Sequence, residues 1–514
     1  MGGPVSLQRR RILRAGAATA ALLGAPGALR ASQVMADDTV YDYVIVGAGT
    51  AGIPAAVFAS RRGARVLLID AAPAVGGTLH MANGQIAGAG TRLQRSLGID
   101  DTPDLHFEDV MRVTGGTADR DVVRLTVDHA ATTLDWLDRG GLVPLPGHPV
   151  TGEAPGRPMY SRRRYLWAER EGPAILDVVN RELAPEVASG RVRAQLDTRV
   201  TELLTDERGA VVGVRADRGG GRGVAFRGRH VLLTTGGYAS NMQMFRRLTG
   251  VPNYAGGSYA FSQGDGLDLA VSVGGYLRGR DLYRTGFGSI LENDNYPAKV
   301  YARFVTSPQL RAPWEIYVNM RGERFVREDE PVPLGRERAL LRQPELRYWI
   351  VFDQDIFERA PPGVQGWSRE QMLAAFDSHA MFARAESLAA LAERVGIPPA
   401  GLQRSVQDYN EAITAGRADA FGREHRPRPI ARGPFYAIRH QGHSATSSAG
   451  VAVDRDLRVL RGDGSVVPNL YAAGEVLGSG VSVGNAFAAG MMLTPALTFG
   501  RLLGERLSLQ RSTT

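Results

Sequence analysis

Residues 41–70, YDYVIVGAGTAGIPAAVFASRRGARVLLID, constrain the fold more than any other part of the chain. Residues 41–46 are a short β-branched, apolar run that reads as a buried parallel strand. Gly47, Gly49 and Gly52 follow as GxGxxG, and the Ala-rich stretch from Ile53 to Ser60 reads as a helix. Arg65–Ile69 is a second strand and ends at Asp70. Each residue type has a physical task. Gly47 permits the tight turn, Gly49 with Ala48 lets backbone approach a diphosphate, and Gly52 lets helix and strand pack closely. The helix N-terminus faces the phosphates. Asp70 stands where a carboxylate accepts both ribose hydroxyls, which argues against a phosphorylated ribose. Strand, glycines, helix, strand and acid occur in the order a dinucleotide site needs.

The chain has 514 residues, which suits two domains or one nucleotide-binding fold with an insertion. Its 44% hydrophobic and 22% charged composition is that of a globular protein, not a disordered one. Cysteine is absent, so disulfides, thiolate metal sites, Cys-held iron–sulfur clusters and a CxxCH haem attachment are excluded, and no metal is expected. Redox chemistry then requires a bound organic cofactor, and electrons pass to or from an external donor or acceptor. Five of the eight net positive charges fall in residues 1–36 (Arg9, Arg10, Arg11, Arg14, Arg30), and what remains gives no reason to invoke nucleic acid. The run from Arg9 to Ala31 is too short and too weakly apolar to span a bilayer. Arg9-Arg10-Arg11-Ile12-Leu13-Arg14 resembles a twin-arginine export signal, with cleavage expected after Ala31 or Ala36 and export as the expected route.

Later segments point to a flavin dinucleotide rather than NAD. Gly76-Gly77-Thr78 follows Asp70 closely, a turn that suits a long nucleotide crossing the sheet. Arg229–Gly237 reads as another buried strand ending in small residues. Asn469–Val476 and Gly490–Gly500 come near the end of the chain, and a simple NAD domain does not need completion there.

With these segments in view, the chain resembles the fumarate reductase/succinate dehydrogenase flavoprotein family, in the branch that includes ketosteroid dehydrogenases. The resemblance rests on VIVGAGTAG, VLLTTGG, QGDGLDLA (263–270), YVNMRGERFVRE (317–328), WIVFDQ (349–354), VPNLYAAGEV (467–476) and LTPALTFGRLLG (493–504). It implies an α/β fold: a Rossmann-like FAD-binding domain with an inserted α+β capping domain. The FAD-binding parts are expected at 39–282 and 430–510, and the cap at 283–429. Within the cap, strands are expected at 315–319 and 348–353 and helices over 369–415. Asp377–Gly396 has helix-like spacing, and Met372, Met381 and Phe382 are expected in the cap core.

The resemblance also implies roles. Gly47, Gly49 and Gly52 would hold the diphosphate and Asp70 the adenosine ribose. Gly77 and Thr78 would lie against diphosphate and flavin. Val200 would meet adenine, and Thr235 and Gly236 would flank the nucleotide. Glu475 would bind the ribityl chain. Gly490, Met491, Met492 and Leu493 would open the last helix toward the flavin pyrimidine. Ala48, Gly76, Gly84, Asp265 and Gly474 complete the expected set. The FAD is expected to be non-covalent, since His80 lies just past Thr78, where relatives attach flavin.

Such enzymes make or remove a C=C bond next to a carbonyl or carboxylate. At the residues that choose substrate, this chain departs from both well-known subtypes. Thr446, Phe487 and Phe357 stand where fumarate reductases carry a His and two Arg residues, and Pro331 stands where the Arg paired with Glu328 belongs. Val332 and Ala486 stand where ketosteroid dehydrogenases carry tyrosines. Gly490, whose amide would help polarise a ketone, is retained. Val332, Phe357 and Phe487 therefore favour a cyclic or largely apolar ketone or enone over a small dianion. Catalytic candidates are His443, Arg336, Glu328 and Gly490, with His440, Tyr238, Tyr254, Tyr259 and Tyr301 behind them. Two alternatives stand beside this expectation. One is a reductase of unsaturated carboxylates with repositioned clamps (Arg336, Arg303). The other is a flavoprotein without its catalytic acid, acting as an electron relay or binding module.

Overall fold

The computed structural model describes residues 39–509 except 155–156, 219–222, 257 and 332. The Arg-led segment 1–36 and Val332 lie outside the described residues.

The strand Val40–Val46 sits centrally in an eight-stranded sheet. Along the sheet the order is Arg458–Leu460, Val466–Ala472, Val224–Leu233, Val40–Val46, Val66–Ile69 and Val192–Gln195. The last five of these run parallel. Thr198–Thr205, Val211–Arg218 and Val224–Leu233 form an antiparallel meander on the same sheet. Val66–Ile69 is buried at every residue, as expected of a strand covered on both faces. The helix Gly52–Arg61 lies over the sheet, and the last helix, Leu493–Arg506, lies over Gly52–Arg61.

That second contact is made by bare backbone. A side chain at Gly500 would overlap the Ala51 carbonyl, and one at Gly504 would lie 2.6 Å from the Ala55 oxygen. Arg62 then caps the far end of the last helix, donating to the carbonyls of Gly504 (3.0 Å) and Leu507 (2.9 Å). The beginning and end of the described chain thus share one apolar core.

The insertion has its own core around a four-stranded antiparallel sheet, ordered Ile316–Asn319, Arg347–Asp353, Phe435–Gln441, Phe382–Ala385. Helices Arg369–Ser378, Leu388–Val395 and Pro399–Thr414 accompany it. Met372, Met381 and Phe382 are buried in this core, as expected. Asp377–Gly396 is not one helix. Residues 382–385 pair with Phe435–Ile438, and Ser387 caps a fresh helix by accepting from the Ala390 amide (3.2 Å). Long-range pairing overrides the local period. The same sheet holds Phe435–Gln441 between Arg347–Asp353 and Phe382–Ala385. No helix among the described residues is long and apolar enough to cross a membrane.

Gly500→Ala is expected to lower unfolding free energy by about 1–3 kcal/mol, the range for overpacking a filled contact. Gly462, which has nothing within 4 Å of the Cβ position, is the control: Gly462→Ala should fall within about 0.5 kcal/mol of the parent in urea unfolding.

Candidate active site

The glycine loop owes its shape to close backbone contacts. Gly47 has φ +105°, and a side chain there would overlap the Thr234 carbonyl on the neighbouring strand. A side chain at Gly52 would overlap the Gly47 oxygen, which also accepts from the Thr234 hydroxyl (2.6 Å). Gly49 faces open space except for Gly77, whose own side-chain position lies 3.1 Å from the Gly49 Cα. Asp70 binds the loop from below. Its carboxylate accepts the Ala48 amide (2.6 Å) and the Ala72 amide (2.7 Å), and burial raises its pKa.

A long cleft runs from this loop to the last helix. Its wall includes Gly47, Gly49, Asp70, Gly77, Thr78, Val200, Thr235, Gly236, Asp265, Gly474, Glu475, Gly490, Met491, Met492 and Leu493. Ala48, Gly52, Gly76 and Gly84 stand behind the wall. Gly76 donates to the Ala48 carbonyl (2.7 Å), and Gly84 packs on the Glu171 backbone. Asp265 is ion-paired with Arg199 beside Val200. Glu475 is half-buried on the wall, accepts the Ser447 amide (2.8 Å) and has its pKa raised by burial. Asn83, Gln85, Ser258, Ser262, Ser479 and Ser482 also line the cleft. No spacing or motif pointed to these six, because single polar residues in loops carry no pattern.

The far end is set by Gly490. It has φ +77°, and a side chain there would lie 2.5 Å from the Ala87 amide nitrogen. The Ala87 amide in turn donates to Thr494 (2.9 Å), in the first turn of the last helix. The helix N-terminus thereby opens onto the cleft, where its dipole favours negative charge. A thin glycine wall for a diphosphate, an acid for a ribose and a helix N-terminus for an electron-rich ring suit an FAD lying along the cleft.

The residues that vary with substrate divide between wall and core. Thr446 and Phe487 line the cleft. The Arg284 guanidinium lies 5.5 Å from the Phe487 ring and pairs with Glu337 (3.1 Å). Phe357 does not line it. Its ring stacks on Tyr436 at 5.0 Å in the cap core, so its apolarity reflects cap packing rather than substrate.

Of the four catalytic candidates, Gly490 alone is on the wall. Glu328 is fully buried in an ion cluster inside the cap, 2.7 Å from Arg324 and 3.4 Å from Arg423. Arg336 is buried, donates to the Glu330 carbonyl and lies 6.0 Å from the Phe287 ring. His443 is enclosed behind the wall. Burial first, then the charges of Arg303 and Arg284, push its imidazole down to about 4. His440 stacks on Tyr348 at 5.1 Å, and burial pushes it down to about 3. Tyr238 accepts the Ala449 amide (3.1 Å) in the core, Tyr254 packs on Tyr296 and Tyr301 stacks on His379. Tyr259 reaches the cleft, at the Asp70 end.

The cap contributes one described residue to the wall, Arg303. It ends the hairpin Ser289–Leu291/Val300–Arg303, and its guanidinium lies 3.4 Å from Ser289 Oγ. From sequence Arg303 was only a possible repositioned clamp, because nothing local shows which way a hairpin side chain will point.

A family profile described as "FAD binding domain" matches residues 42–490. A "Fumarate reductase (cytochrome)" from Shewanella frigidimarina is 28% identical, over 91% of this chain and 77% of that protein. A "3-oxosteroid 1-dehydrogenase" from Mycolicibacterium smegmatis is 24% identical, over 90% of this chain and 96% of that protein. Among solved structures, the open conformation of a flavocytochrome c3 fumarate reductase superposes with a TM-score of 0.66 at 25% identity, covering 91% of this chain and 78% of that one. The chain belongs to this FAD-binding family and is an FAD-dependent oxidoreductase acting on CH–CH groups.

Proposed function

We propose that the enzyme interconverts a C=C bond and a C–C bond next to a single carboxylate, with reduction of the unsaturated acid as the principal direction. One observation carries this reading: Arg303 is the one described residue that the cap contributes to the cleft wall. A guanidinium binds a carboxylate through two charge-assisted hydrogen bonds, a stronger grip than it has on a neutral ketone. The wall's other arginine, Arg199, is tied to Asp265 near Val200. The wall therefore offers a second carboxylate no further arginine, and Phe487 and Met492 are among its apolar residues. A second reading, a cyclic ketone or enone, is supported by Phe487 standing close in sequence to the retained Gly490.

Bound reduced FAD would supply a hydride to one carbon of the double bond, and the neighbouring carbon would take one proton from solvent. The rest falls to the chain. Arg303 holds the carboxylate and stabilises the charge that develops on its oxygens. Phe487 covers the reacting carbons from water. The last helix N-terminus favours negative charge at the flavin end of the cleft.

Anaerobic turnover with a reduced dye is expected to proceed with an acrylate-type monoacid and far more slowly with fumarate. Turnover confined to cyclic enones would favour the second reading, and flavin spectra without any C=C turnover would leave an electron relay. Arg303→Met is expected to lower kcat/KM for the monoacid about 10- to 100-fold, the worth of a hydrogen bond to a charged group. FAD content, read from the visible spectrum after purification, should not change.

His443 has a folded pKa of about 4 against an unfolded value near 6.5. Between these values the unfolded chain binds a proton that the folded chain does not, so stability falls as pH falls from about 6.5 toward 4. Thermal unfolding should show this decline, and it should be shallower in His443→Gln.

A further inference from the structure

Arg303 has a second neighbourhood. On the cap side it borders a depression of about 640 Å³ floored and walled by Phe287, Leu310, Trp314 and the Pro361-Pro362 pair. The depression is held in shape by backbone. Phe304 donates to the Gly288 carbonyl, Val305 to that of Gly363 and Gln365 to that of Arg303, each at 2.8 Å. A side chain at Gly363 would overlap the Phe304 ring, so the loop lies tight against it. The other cation at the rim, Arg311, is already bound by both Glu315 oxygens (2.8 and 3.0 Å) and by the Pro361 carbonyl (2.9 Å). Leu310 is 77% exposed, more than any other large apolar side chain described.

We infer that this depression receives the apolar body of the substrate whose carboxylate Arg303 anchors, which makes the substrate an aryl- or long-chain-substituted unsaturated monoacid. The inference rests on the proposed role of Arg303 and adds the chemistry of the tail. Three features select an apolar occupant: aromatic and proline walls, an exposed leucine with nothing over it, and a neighbouring cation whose charge is already neutralised. Arg303 lines both the depression and the flavin cleft, so an acid gripped by it can have its polar end toward the cleft and its body in the depression. A preformed, mostly apolar pocket of this size is of the kind that binds small ligands.

The test uses FAD-loaded enzyme. Calorimetric titration with propanoate and with 3-phenylpropanoate, neither of which can be reduced, reads binding without turnover. The phenyl acid is expected to bind at least tenfold tighter, and Leu310→Asp and Trp314→Ala should each shrink that ratio by fivefold or more. Turnover of acrylate and of its 3-phenyl derivative should show the same preference in kcat/KM. Equal binding of the two saturated acids, or a ratio untouched by both substitutions in folded, flavin-loaded protein, overturns the inference. Tail-dependent binding without turnover of either unsaturated acid overturns the proposed function while this inference stands.

Discussion

The carbonyl of Ala51 and the bare Cα of Gly500 touch, and much of the site depends on that contact. It lets the last helix lie directly on the first. Both helices begin at the same cleft, one after the glycine loop and one after Gly490. A methyl group's width between them would displace the Gly490–Leu493 turn from the Ala87 strand it packs against. The active site is therefore built by helix packing first and by polar contacts second. Arg62 adds to the same arrangement by holding the carbonyl end of the last helix.

What could be read from the chain and what could not follow from the range of the forces involved. The strand–glycine–helix–strand–acid run is a local pattern, in which Gly52 answers the Gly47 carbonyl and Asp70 accepts the Ala48 amide. Gly47 also answers Thr234 on a strand far along the chain, a constraint the pattern carries without showing its source. The last helix was legible because its small residues and its neighbours form a long pattern. Phe382–Ala385 was not legible as a strand, because its partner lies more than fifty residues away in the chain. Glu328 and Phe357 show the same limit from another side. Both fall in segments that look catalytic by position, yet one is neutralised by Arg324 and Arg423 and the other is stacked on Tyr436. Burial decides such cases, and burial is a property of the whole fold.

On the cap side most of the guanidinium groups described are paired with carboxylates, Arg284 with Glu337, Arg311 with Glu315 and Arg324 with Glu328. Arg303 and Arg284 together disfavour protonation of His443, and enclosure does the rest. The imidazole is thus an uncharged dipole at working pH, and the positive charge facing the cleft resides in guanidinium groups that do not titrate.

Arg303 sits at the end of a two-stranded ribbon, Ser289–Leu291 with Val300–Arg303, that makes no strand of either large sheet. The cap's described contribution to the cleft wall thus comes from a ribbon of its own. Lengthening or redrawing that ribbon would change which molecules are admitted while leaving the nucleotide cradle and the interlocked helices as they are. A lineage built on this scaffold can explore new substrates through the outer strand Val300–Arg303, while Ile290 and Leu291 keep the inner strand rooted in the two cores and the redox centre is inherited whole.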